Sequence, residues 1–168
     1  MSNTKNIYDK EAIKKIKEMV DDIKTCMFCT EVEGVPFRTR PMATVDVDDN
    51  GNLWFFSNQA SDKNDEIKDS DTVQLLYAKN SDSHFLTITG KTKIISDKEK
   101  INQLWSSTMK AYFAGGKDDP NITLLKVTPE EAHYWDTING KMITLFKMAT
   151  SALTGAKTNI GVEGNIEV

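Results

Sequence analysis

The chain has 168 residues, of which 39% are hydrophobic and 27% charged. This is the size and balance of one ordinary globular domain, which excludes a disordered or fibrous chain. Its 21 lysines and arginines against 25 acidic residues leave a formal net charge of -4, so the basic footprint of a nucleic-acid binder is missing. No apolar run approaches the ~20 residues of a membrane span, and the opening MSNTKNIYDKEAIKK is charged where a signal peptide is apolar. A cytoplasmic protein with neither nucleic-acid nor membrane partner is expected.

Ile13, Ile16, Met19, Val20 and Ile23 recur at steps of three and four, which predicts an amphipathic helix with Asp9 as its N-cap. From Thr25 the text turns to strands: TCMFCTEV, RPMATVDV, a hairpin turn carrying Asn50-Gly51, and LWFFS. A two-turn helix follows from Ser61, and strands resume with TVQLLYA and HFLTITGKTKII, where Gly90 marks a bulge or sharp curvature.

Ser96-Asp97-Lys98-Glu99 matches a capping box and predicts one helix carrying Ile101, Leu104, Trp105, Met109 and Tyr112, closed before Gly115-Gly116. ITLLKV reads as a strand, Thr128–Ala132 as one helical turn, AHYWDT as a last strand and KMITLFKMATSALTG as a final helix. These elements form one domain over residues 1–155, followed by a glycine-rich tail, 156–168, read as mobile or partner-bound. Strands linked by hairpins rather than alternating with long helices point to a mainly β, antiparallel barrel or sandwich.

Several motifs read as structure. Cys26-x-x-Cys29 sits inside a strand-like run with no partner pair, so two buried thiols are expected rather than a zinc or redox site. His84 and His133 stand far apart and outside any metal or nucleophile signature. Both common glycine-rich nucleotide cradles are missing, and Gly115-Gly116-Lys117 ends a helix instead of opening one.

A distributed anion site is the remaining candidate. Arg38 and Arg40 share one face of an extended segment, and Pro41 beside them is tolerated if the strand starts there or lies at an edge. LWFFS brings apolar surface and ends at Ser57, four residues before Ser61. The turn thus sets Ser61, Lys63 and a helix N-terminus beside the arginines, a combination competent to bind phosphate.

These residues carry a family resemblance. Arg38-Thr39-Arg40-Pro41-Met42, then the hairpin, then Trp54-Phe55-Phe56-Ser57, then Ser61-Asp62-Lys63 with Ile67, resemble the FMN-binding split barrels related to pyridoxamine 5′-phosphate oxidase. Within them the chain is most similar to the bacterial general stress proteins. Leu104-Trp105, Tyr112-Phe113, Gly115–Pro120, Leu124–Val127 and Tyr134-Trp135-Asp136 extend the similarity over residues 10 to 155.

The resemblance implies a six-stranded antiparallel split barrel that forms a homodimer with FMN at the subunit interface. It places Arg38, Thr39, Arg40, Pro41 and Met42 along the cofactor, with Arg40 on the phosphate. Phe56 and Ser57 stand at the strand end, and Ser61, Asp62 and Lys63 at the phosphate. Trp105 and Trp135 become aromatic walls, in part from the second subunit. Asp62 stands where the oxidase proper has a second basic residue, and no arginine follows Arg40. The first implies a looser grip on the phosphate; the second, with His133 the last histidine, weighs against pyridoxamine-phosphate oxidation itself.

The function that follows is a flavin-dependent oxidoreductase linked to general stress, acting on a small-molecule redox substrate, with no metal and no identifiable acid or base. The alternative is a non-catalytic flavin-binding or redox-sensing module. A third reading keeps the barrel and exchanges the ligand for a deazaflavin or haem. Trp105, Tyr112 and Phe113 are the expected apolar patch for a dimer partner.

Overall fold

The computed structural model describes residues 3–4, 7–137 and 161–167. Short strands β1 (Asn3–Thr4) and β2 (Ile7–Tyr8) lead into α1 (Asp9–Ile23), whose Ala12, Ile16, Met19 and Val20 are buried. Next come β3 (Thr25–Thr30), β4 (Arg38–Ala43), β5 (Asp46–Val47) and β6 (Leu53–Asn58). After α2 (Asp62–Asp69), β7 (Thr72–Lys79) and β8 (His84–Ile95) precede α3 (Lys98–Leu104). The last described elements are β9 (Ile122–Thr137) and β10 (Gly161–Glu167).

Six strands pair in the antiparallel order β4-β3-β7-β8-β9-β6, and this path curls into a half-barrel. The long strand β9 makes the curl possible. Its first half lies between β8 and β6 and its second half between β8 and β10. Gly90 supplies the bulge expected of it: the β8–β9 register shifts between Thr89 and Gly90, where a Cβ on Gly90 would lie 2.3 Å from the Thr128 carbonyl oxygen.

β4 and β6 are the two lips of the split. Pro41 sits on β4 at the sheet's end, where its missing N–H costs no ladder bond. Below the lips the halves meet in the core, where Phe28 and Phe55 pack edge to face with centroids 5.2 Å apart. The hairpin turns as expected, with Gly51 at φ 80° and Asp46 opposite Trp54.

Three expectations need correction. Residues 128–132 form no helical turn, because Pro129 lies at the bulge and β9 runs unbroken from Ile122 to Thr137. The helix expected after Ser96 stops at Leu104: Trp105 turns extended, with φ −65° and ψ 132°, and a separate 3-10 turn occupies Ser107–Ala111. The Ser106-Ser107-Thr108 run explains the break, since short hydroxyl side chains compete for local hydrogen bonds, and Ser106 and Thr108 pair at 2.7 Å.

The third correction concerns the tail. Gly161–Glu167 is a strand, antiparallel to β9 and parallel to β1 and β2, with Ile166 fully buried. The apolar side chain at Ile166 docks this segment despite its glycines. The helix expected over 141–155 lies outside the described residues.

Candidate functional site

Where β6 ends, a buried polar knot fixes the start of α2. Ser57 donates to Asn64 Oδ1 at 2.7 Å, Ser61 donates to the same oxygen at 3.3 Å, and Asn64 Nδ2 donates to Thr123 Oγ1 on β9 at 3.1 Å. Ser57, Asn64 and Thr123 are all buried. The Ser61 hydroxyl is thereby spent on Asn64 rather than on capping the helix.

Two concavities open on this corner. The polar one, of about 390 Å³, is lined by Arg38, Thr39 and Arg40 from β4 and by Ser61, Asp62, Lys63 and Glu66 from the start of α2. The apolar one, of about 460 Å³, follows the split, with Pro41 and Met42 on one lip and Phe56 and Ser57 on the other. Met109 and Phe113, on the chain after α3, form its outer wall. Lys63 lines both.

The three cations are held differently. Arg38 is 70% exposed and leans toward Glu31 at 3.5 Å. Arg40 is largely enclosed, donating to Thr30 Oγ1 at 2.8 Å and to Glu66 Oε2 at 2.6 Å. Lys63 is half-buried and makes no hydrogen bond or ion pair with any described residue. Burial, and then the Arg40 charge, hold its ammonium below the ordinary lysine value. Burial pushes the Glu66 carboxyl up, but hydrogen bonds from Thr30 and Arg40 outweigh it, so Glu66 sits below the usual carboxylate range.

Ten of the twelve residues expected at the site line one concavity or the other: Arg38, Thr39, Arg40, Pro41, Met42, Phe56, Ser57, Ser61, Asp62 and Lys63. The two tryptophans do not. Trp105 stands behind the wall, edge-on to Phe56 at 5.9 Å and tilted against Phe113 at 6.3 Å. Trp135 lies near the far end of β9, with its ring against His133.

The expected dimer patch also dissolves. Phe113 is buried and Trp105 half-buried against β6, leaving only Tyr112 fully exposed, because the broken helix folds them inward.

Sequence reasoning missed Glu66 and Asn64. Glu66 had a legible signal, since it follows Lys63 by three positions on one helix face. Asn64 had none, because its partners come from three separate elements.

The motifs read as structural are so placed. Cys26 and Cys29 are free and buried, and burial pushes the Cys26 thiol up to about 12. His133 pairs with Asn165 at 2.6 Å, and His84 bridges Asp22 and Asp136. Asp22, Asp82 and His84 bring ligand atoms close together, but Lys79 already pairs with both carboxylates. Among the described residues, no Asp, Glu, His or Cys lines the apolar concavity.

The sequence profile of the family described as pyridoxamine 5′-phosphate oxidase like matches residues 11–159. General stress protein 26 of Bacillus subtilis is 26% identical over 121 residues, 70% of this chain and 84% of that protein. Protein bli-3 of Neurospora crassa is 21% identical over 131 residues, 73% of this chain; the match spans 63% of that longer relative. Among solved structures, one described as a general stress protein 26 from Jannaschia sp. CCS1 superposes with a TM-score of 0.80 at 23% identity, covering 94% of this chain and 99% of that one. A general stress FMN/FAD binding protein from Xanthomonas citri gives 0.65 at 24% identity, covering 76% and 90%.

Proposed function

The chain belongs to the pyridoxamine 5′-phosphate oxidase-like family, and from that premise we propose that it binds FMN across its two concavities and works as a flavin-dependent oxidoreductase of the general stress type, with a small-molecule redox substrate. The observation that carries this reading is Lys63, a half-buried cation with no hydrogen bond or ion pair among the described residues, at the seam between a charged hollow and an apolar one. A flat ring system bearing a phosphate has this division of polarity. The FMN/FAD binding described for the Xanthomonas citri neighbour supports the same cofactor class.

The residues present fit such a group. Lys63 and the Arg40 guanidinium, which Thr30 and Glu66 engage in the ligand-free protein, would hold the phosphate. Pro41, Met42, Phe56 and Phe113 would exclude water from the ring. The bound flavin would supply the hydride chemistry, while the protein supplies position and a dry wall.

We further propose a homodimer that completes the site. Across the outer sheet face, register aligns Pro41, Met27, Leu76, Thr87, His133 and Asn165 in one row, none of them buried. The next row carries Phe85 and Trp135. Pro41 belongs both to this face and to the apolar concavity, so a two-fold partner seated there would cover apolar surface and wall the cofactor in one step. No described helix is long and apolar enough to cross a membrane, and a cytoplasmic location is part of the proposal.

A second reading, a non-catalytic flavin-binding or redox-sensing module, is favoured by the lack, among the described residues, of any Asp, Glu, His or Cys lining the apolar concavity. The first test is the visible spectrum of the purified protein, with its heat-released ligand identified by mass. FMN at about one per chain supports the proposal; a colourless protein that ignores added FMN sinks it. A reductant screen then separates the readings, since reoxidation coupled to product formation marks an enzyme.

A further inference from the structure

We propose that Glu66 is the in-chain counter-anion of Arg40, an occupant that a phosphate must displace from the guanidinium, and that it thereby sets how tightly the site holds its anion. This inference rests on the reading of the polar concavity as the FMN phosphate site.

Thr30, Arg40 and Glu66 form a closed triangle. Arg40 Nη1 donates to Thr30 Oγ1, Arg40 Nη2 donates to Glu66 Oε2, and the Thr30 hydroxyl donates to that same oxygen. Both charged side chains are largely enclosed, at 24% and 15% exposure. Glu66 lines the same hollow as Arg40. It therefore stands beside the anion's place rather than behind the arginine, and its charge opposes any phosphate there.

The charges facing the hollow are Arg38, Arg40 and Lys63 against Asp62 and Glu66, a surplus of one positive charge. Arg38 contributes least, being exposed and drawn toward Glu31. A phosphate monoester carries nearly two negative charges near neutrality and offers oxygens that suit a guanidinium fork. Binding thus exchanges one anion for another on Arg40, while Thr30 keeps its hydrogen bond to the released Glu66. Glu66→Gln retains a side-chain oxygen that accepts from Arg40 and Thr30 but removes the competing charge.

The test is a fluorescence titration with FMN and with riboflavin, which lacks the phosphate, on wild type, E66Q, R40A and the double variant. The expected result is that E66Q binds FMN roughly tenfold more tightly, the size of one partly screened charge interaction, and leaves riboflavin unchanged. The gain disappears in the R40A background. If E66Q leaves FMN affinity unchanged or weaker, the inference is overturned and the phosphate-site reading stands. An equal gain with and without Arg40 overturns it too, leaving plain repulsion. If wild type prefers FMN no more than riboflavin, the phosphate-site reading fails and takes the inference with it. Should E66Q fail to fold, Glu66→Met, neutral and of similar length, gives the same readout.

Discussion

Ser57 donates a 2.7 Å hydrogen bond to Asn64 Oδ1, and this buried link joins the end of one lip of the split to the helix that carries Lys63. Asn64→Ala would remove it together with the bond to Thr123, taking that partner from the buried Thr123 hydroxyl and leaving Ser57 only its 3.3 Å contact to Ser61. The expected cost is about 2–3 kcal/mol, read as a drop of roughly 5–10 °C in Tm. A change under 1 °C would show that the knot does not hold the helix.

Lys63→Ala should weaken FMN binding by about 1.5–3 kcal/mol, one charged hydrogen bond, and spare riboflavin. Equal affinities for FMN in both proteins would remove Lys63 from the site.

Lys63 also predicts a pH signature without ligand. Its folded-state value lies below the ordinary 10.5, so the folded protein binds fewer protons than the unfolded chain in that interval and this group's contribution to stability rises with pH. Lys63→Gln should therefore be the more stable protein at neutral pH, with the gap narrowing as pH climbs toward 10.5. Denaturant unfolding at several pH values measures it; a constant gap refutes it.

Asp48 gives a slope of the same sign at the acid end, because its folded-state value is lowered too. Burial pushes its carboxyl up, but donors from Trp54, Asn52 and Asn50 prevail and hold it below 3.8. Its contribution is fully present above that value and is lost as pH falls through the lower folded one. Acid unfolding of Asp48→Ala should be shallower below 3.8 than that of wild type; superimposable acid limbs would count against it.

Two glycines should respond unequally to alanine. At Gly90 the new Cβ meets the Thr128 carbonyl oxygen at 2.3 Å, and backbone must move; the loss should be on the order of 2–4 kcal/mol. Gly116 has φ 65° but open space around it, so about 1 kcal/mol of left-handed strain is expected. Equal losses in chemical denaturation would mean that the bulge can relax.

Met27→Glu, between Pro41 and Leu76 at the apolar end of the outer row, should convert a dimer to a monomer by light scattering while the circular dichroism spectrum is retained. A dimer that survives the charge would place the interface elsewhere.

What the sequence by itself determined was local. The 3.6-residue stripe of α1, the Asn50-Gly51 turn, the bulge at Gly90 and the pairing of Arg40 with the start of α2 were all readable, because each rests on short-range backbone preference or fixed spacing. Tertiary structure decided the rest. Pro129 reads as a helix start until a bulged partner strand accepts it, and the tail reads as loose until β9 offers an edge and a pocket for Ile166. Glu66 reads as a solvated helix charge until Thr30 and Arg40, on two other strands, close around it. Such partnerships join residues dozens of positions apart, and only the curl of the sheet brings them within reach.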